Sequence, residues 1–199
     1  MTRLTLVRAA AVVLILSGVP AAASNSLIRA DIAVAVAKST LMVTPAGEWN
    51  KMGARPGRNS ETWTLDGDGL NDLTFYGGIQ DDRPLFREVA KRTTPLPRFS
   101  ATMLLTDIPA LVEASYRVAL GTALMTIDGA EPTMMSGNKA ILFRYRFTRQ
   151  GEEVARKGEA VAAIVSGKLY MISFEAPAIH YFDRDVARFR AIARSARIG

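Results

Sequence analysis

Residues 141–175 constrain this chain most, because they alternate apolar and polar side chains in runs broken by short turns. Phe143, Tyr145 and Phe147 alternate with Arg144, Arg146 and Thr148. Gln150-Gly151 then reads as a turn, and Glu153 to Val165 as a second, longer strand. Ser166-Gly167 is a tight turn before a third strand, Lys168 to Glu175, in which Leu169, Met171 and Ser173 oppose Tyr170, Ile172 and Phe174. A period of two with tight turns between the runs specifies an antiparallel meander. Pro177 closes it.

The same logic applies nearer the N-terminus. Trp63 and Leu65 alternate with Thr62 and Thr64, Asp66-Gly67-Asp68-Gly69 interrupts, and Leu73 and Phe75 then alternate with Thr74 and Tyr76. Two such runs joined by Asp-Gly repeats predict a β-hairpin. Leu41 to Pro45 reads as a first strand, followed by a basic loop from Gly47 to Ser60. Gln80 to Ser100, with three prolines, reads as a long connection holding one helical turn at most. Helical spacing appears twice. Asp107 is placed to cap a helix carrying Ile108, Leu111, Val112, Ser115, Val118 and Ala119 on one face, and Gly121 to end it. Asp183 is placed to cap a closing helix with Val186, Phe189, Ile192 and Ala193 in one stripe and four arginines off it. The expected class is therefore α+β, an antiparallel β-sheet flanked by helices.

The first 23 residues state an address rather than a fold. Arg3 and Arg8 precede the apolar run Ala9 to Leu16, and Ala21-Ala22-Ala23 supplies the small residues read by signal peptidase. This predicts a secretory signal peptide over 1–23, cleaved after about Ala23, and a periplasmic product. The apolar run is too short to span a bilayer. Leu16-Ser17-Gly18 resembles the end of a lipoprotein signal, but Val19 follows and the chain holds no cysteine, so a thioether lipid anchor is excluded. Residues 24–199 then form a single domain, with 24–38 as a lead-in. The net charge of +6 falls by two to +4 without Arg3 and Arg8. That mild excess suits solubility, or loose attachment to an anionic envelope surface. No nucleic-acid recognition motif is present.

The order of elements resembles the PsbP-like α/β/α sandwich, found in extrinsic photosystem proteins and in small exported bacterial proteins of unknown function. The likeness rests on the strand ending near Trp49-Asn50 and on the hairpin containing Trp63. It rests also on Gly167 to Phe174 leading into a helix that ends Ile192-Ala193-Arg194-Ser195-Ala196-Arg197, and it covers most of residues 38–198. The resemblance implies an accessory or binding module acting on a protein or envelope component, without catalytic activity. The ion-binding residues of the photosystem members have no counterparts in this sequence.

Chemistry-bearing motifs are sparse. Counting from Asp66, an EF-hand loop needs an oxygen ligand, a glycine and a glutamate where this chain has Leu70, Asn71 and Gly77, so the segment reads as a hairpin turn. The lone histidine, His180, lacks the companions a zinc site requires. No Gly-x-Ser-x-Gly elbow or phosphate loop occurs. The sequence thus names no catalytic, cofactor-binding or metal-binding residue. Trp49, Trp63, His180 and Tyr181 remain as aromatic groups for a ligand groove, set against packing of both tryptophans in the core. The arginines near 144–149 and in the closing helix read as solvated faces. The function expected is a periplasmic binding or accessory domain; the alternatives are a small hydrolase with an unrecognised site and a protein held at the envelope surface by charge.

Overall fold

The computed structural model describes residues 24–199 apart from Lys91 and Ala123; the predicted signal segment lies outside the described residues. Thirteen strands and two α-helices are arranged along it. The N-terminal strands are β1 (Ser26–Ile28), β2 (Val34–Ala35), β3 (Leu41–Val43), β4 (Trp49–Lys51), β5 (Ser60–Thr64) and β6 (Asp72–Ile79). The short β7 (Arg83–Pro84) and β8 (Arg98–Phe99) precede α1 (Ile108–Ala119). Then come β9 (Met125–Met135), β10 (Asn138–Phe147), β11 (Arg156–Val165), β12 (Lys168–Pro177), α2 (Tyr181–Ser195) and β13 (Arg197–Ile198).

Eight strands form one antiparallel sheet in the order β1-β4-β5-β6-β12-β11-β10-β9. The predicted hairpin is β5-β6 and the predicted meander β10-β11-β12, and they meet where β6 pairs with β12. The tight turns carry the chemistry that the pairing demands. Ser166 and Gly167 have φ of 50° and 70°, and Ser136 and Gly137 have 53° and 75°; two successive positive φ values match the right-handed twist of the strands they join.

Alternation divides the side chains between two cores. Ile172 and Phe174 of β12 join Trp63, Leu73 and Phe75 with Phe182, Phe189 and Ile192 of α2. Leu169 and Met171 of β12 join Tyr76, Phe143 and Tyr145 with Ile108, Leu111, Val112 and Tyr116 of α1. Each helix therefore packs with a different face of the large sheet. Gly158 of β11 pairs with Tyr145, and the ring covers it so closely that a Cβ there would overlap the ring.

Several expectations need correction. Asp107 does not cap α1: its own backbone is helical, and its side chain accepts from the Leu104 N–H, closing the short turn before the helix. Asp183 lies inside the first turn of α2; the chain enters that helix at His180, whose φ of 70° turns the backbone out of the strand. On α1, Tyr116 is buried in place of Val118 and Ala119, because the apolar stripe rotates toward the aromatic side chains of β10. Leu41–Val43, the expected first strand, pairs with β2 and β13 in a separate three-stranded sheet, and the lead-in, whose structure the sequence left open, supplies β1 and β2. The Gln80–Ser100 connection closes as a two-strand clip between β7 and β8. The edge strand β9 falls in a stretch with no predicted element, since Gly129 and Pro132 interrupt its pattern.

Candidate functional site

A cavity of about 390 Å³ opens on the α1 face of the sheet, at the end where β6 meets β12. Its floor comes from alternate residues: Thr62 of β5, Asp72, Thr74 and Tyr76 of β6, and Glu175 of β12. Of these, Thr62, Thr74 and Tyr76 are the side of the hairpin that alternates with Trp63, Leu73 and Phe75. Instead of facing solvent, they are roofed by the C-terminal turn of α1 and by two loops around residues 52–56 and 86–89. The Arg87 N–H donates to the Pro56 carbonyl at 2.7 Å and ties the loops together. Gly57 permits that approach, because a Cβ there would strike the Leu85 carbonyl.

The floor is a buried polar network. Thr62 and Thr74, cross-strand partners, join their hydroxyls at 2.9 Å. Tyr116 donates to Glu175 Oε2 at 3.0 Å and lies 3.4 Å, hydroxyl to hydroxyl, from Tyr145. Arg149, just past β10, places Nη2 3.1 Å from Asp72 Oδ2 and 3.3 Å from Glu175 Oε1. Arg156 donates to the Gly69 carbonyl at 2.6 Å, 4.0 Å from Asp72. Among the described residues, Arg149 Nε and Arg55 Nη1, both from side chains that line the cavity, are buried without a hydrogen-bond partner.

Burial sets the electrostatics. It pushes the Glu175 carboxyl up to about 7; the nearby Asp72 charge adds to this, while Arg149, Arg156 and the Tyr116 hydroxyl pull the other way. Asp72 is likewise raised by burial, against the Gly69 N–H and Arg149. Burial lowers the Arg149 guanidinium, but Glu175 and Asp72 more than compensate and hold it above its usual value. Tyr76, Tyr116 and Tyr145 are all raised, mainly by burial and then by Glu175, so they stay protonated as donors.

The aromatic residues singled out in sequence lie on the opposite face. Trp63 is fully buried, edge-on to Phe75 at 4.6 Å, and its indole N–H donates to Glu61 at 2.8 Å. Trp49 belongs to the same core and lines a depression against Ala187, Arg188 and Ile192 of α2. Tyr181 packs against that core beneath Arg184, whereas His180 is exposed. The two tryptophans and Tyr181 thus gather at one core and His180 stays outside it. None of the four lines the cavity beside Glu175.

The arginines are engaged rather than merely solvated. Arg144 and Arg190 converge on buried Glu159, Arg146 chelates Asp128, and Arg184 bridges Asp66 and Asp185. In the Asp66–Asp72 loop, Asn71 Oδ1 accepts from the Leu65 and Asp66 N–H groups, and Arg149 and Arg184 occupy the two end carboxylates. Among the described residues no cluster of His, Cys, Asp and Glu is arranged to hold a metal ion.

No protein-family pattern matches the chain, and no curated protein matches it in sequence. Solved structures do. The solution structure of cyanobacterial PsbP from Synechocystis sp. PCC 6803 superposes with a TM-score of 0.54 at 18% identity, covering 92% of this chain and 96% of that one. At that identity the likeness is one of architecture: the chain has a PsbP-like fold, a large antiparallel sheet with two helices. A Pseudomonas aeruginosa protein of unknown function, described as a putative regulator, gives 0.43 at 7% identity over 68% of this chain and 78% of its own. LpqN of Mycobacterium tuberculosis, described as involved in cell envelope biogenesis, gives 0.35 at 9% identity over 91% and 86%.

Proposed function

We propose that the protein is an exported, single-domain α/β/α sandwich that binds a small molecule in the cavity beside Glu175 and serves as an accessory module of the periplasm. The cavity carries this reading. It is a concave site with apolar walls and a few converging polar groups, and one of its carboxyls is strongly perturbed by burial. Binding is favoured over turnover by the state of the hydroxyls. Thr62 and Thr74 bond to each other, and the raised tyrosines hold their protons, so the hydroxyls that line the cavity are not activated as nucleophiles. The signal-like segment and the absence of cysteine support export without a lipid anchor, and no helix among the described residues is long and apolar enough to cross a membrane.

The test is to isolate the protein from its producing cells and identify retained small molecules by mass spectrometry under native conditions, beside an Ala119→Trp variant that fills the cavity. A retained molecule in the parent and none in the variant is the expected result. Identical spectra from the two would overturn the cavity as the binding site. N-terminal sequencing of the same preparation should begin at Ser24; an intact Met1 would remove the export reading.

A further inference from the structure

A second recess, apart from the cavity beside Glu175, carries charge of one sign. It measures about 590 Å³ and lies at the opposite end of β6 from Asp72, where that strand runs out at Ile79. Three segments distant in sequence each bring a cation to it: Lys38 from the turn between β2 and β3, Arg58 from the basic loop before β5, and Arg83 from β7. The amides of Asn59 and Gln80 join them, and among the described residues no carboxylate lines the recess. The neighbouring acids are engaged elsewhere. Glu61 is ion-paired with Lys51 at 2.9 Å, Asp81 accepts from the Ala101 N–H at 2.8 Å, and Asp82 faces Arg98 at 3.3 Å. Arg144, Arg146, Arg184 and Arg190 each meet a carboxylate; among the described residues, Lys38, Arg58 and Arg83 meet none.

The backbone around the recess is held in place. Ala37 and Lys38 have φ of 54° and 53°, a left-handed conformation that residues with side chains rarely adopt. Their neighbours enforce it: the Ala37 N–H donates to Glu61, the Ser39 hydroxyl donates to the Val36 carbonyl, and Gly77 leaves room for Ser39, which a Cβ there would strike. Strain that the surroundings over-determine gathers at functional segments. Beside Arg58, the Gly77 N–H donates to the Asn59 carbonyl at 2.9 Å and the Asn59 amide donates to the Gly77 carbonyl at 3.3 Å. Arg83 is held by strand pairing with buried Phe99.

Three cations without a counter-charge around one recess select an anion. A carboxylate brings two oxygens and one charge, whereas a phosphate monoester brings three terminal oxygens and close to two charges, and guanidinium forks match its oxygens in pairs. Ile79 and Pro84 are the only apolar residues of the lining, so the group that carries the phosphate is itself polar. We propose that this recess binds a phosphate monoester on a small polar body, with Arg58 and Arg83 on the phosphate oxygens and Lys38 as a point charge beside them. A soluble phosphate ester and the headgroup of phosphatidic acid share that chemistry.

The experiment titrates glycerol 3-phosphate, acetate and glycerol into the purified protein at low ionic strength, following the backbone amide resonances of Asn59 and Gln80. The phosphate ester should bind about tenfold more tightly than acetate, and glycerol should leave both amides unmoved. Arg58→Gln and Arg83→Gln, both at exposed side chains, should each weaken the ester by about tenfold, and Lys139→Gln, an exposed cation outside the recess, should leave its affinity unchanged. Flotation with phosphatidylcholine vesicles containing phosphatidic acid separates the sources: capture that Arg58→Gln abolishes assigns the lipid headgroup, and no capture assigns the soluble ester. Acetate binding as tightly as the ester, equal losses in Lys139→Gln and Arg58→Gln, capture that persists in Arg58→Gln, or no shift of either amide would overturn the proposal.

Discussion

The ring of Tyr145 lies directly over Gly158, its cross-strand partner, where no other residue fits. That glycine lets Tyr145 reach Tyr116, and through it the Glu175 floor. Gly158→Ala should cost about 1–3 kcal/mol, the usual range for overpacking a filled core. Gly129→Ala on the edge strand, where a Cβ meets open space, should change stability by less than about 0.5 kcal/mol. Urea melts of both variants make the comparison, and equal losses would mean that the tyrosine does not need the glycine.

Glu175 makes stability depend on pH in an unusual direction. Its folded value of about 7 lies above the ordinary carboxyl value of 4.5, so between these the folded state holds a proton that the unfolded chain releases. The carboxyl's favourable contribution is therefore complete below about pH 4.5 and is lost as pH rises through 7. Glu175→Gln should consequently be more stable than the parent at pH 8, by about 1–3 kcal/mol, with the gain vanishing near pH 5. Tyr116→Phe removes a donor to the ionised form and should move the midpoint of the parent's loss downward in stability and upward in pH. Chemical melts across pH 5–8 read both.

Asn71 should be a stability residue. Fully buried, it accepts from two backbone N–H groups and from Thr64, and donates to Asp66 and Asp185, fastening the β5–β6 turn to α2. Asn71→Ala strands those donors and should cost about 2–4 kcal/mol. Asn138→Ala, which loses one bond to the Ser136 carbonyl, should cost under about 1 kcal/mol by the same melts.

The closing helix offers a cleaner contrast. Phe189 is fully buried and stacks 6.1 Å from Phe174, so Phe189→Ala should cost about 3–5 kcal/mol. Arg188 is largely exposed, 3.7 Å from Asp185, and Arg188→Ala should stay within roughly 0.5 kcal/mol. Similar small losses from both would mean that α2 is not docked on the sheet.

The strands with strict alternation, from Trp63 to Phe75 and from Phe143 to Phe174, were legible from sequence, as were both helices. Their period states which residues share a face. What the period cannot state is what covers the polar face. Thr62, Thr74 and Asp72 look like solvent-facing residues until α1 and two loops, distant in sequence, fold over them. The β9 strand escaped because Gly129 and Pro132 are tolerated at a sheet edge, where one row of backbone groups needs no partner. Glu175 was hidden for a related reason. It sits in an otherwise apolar strand, one polar residue after Phe174, and only its register opposite Asp72 places two carboxyls side by side. A buried acid ending an apolar run was the available signal.

The seam between β6 and β12 also governs when this protein becomes itself. It pairs residues 72–79 with residues 169–175, in the middle of the sheet rather than at a margin. A ribosome must therefore deliver nearly the whole chain before the sheet closes, and contacts that distant in sequence form slowly. Until then the first hairpin waits with one side open. On the export route proposed above, that delay keeps the chain threadable for as long as β12 is missing.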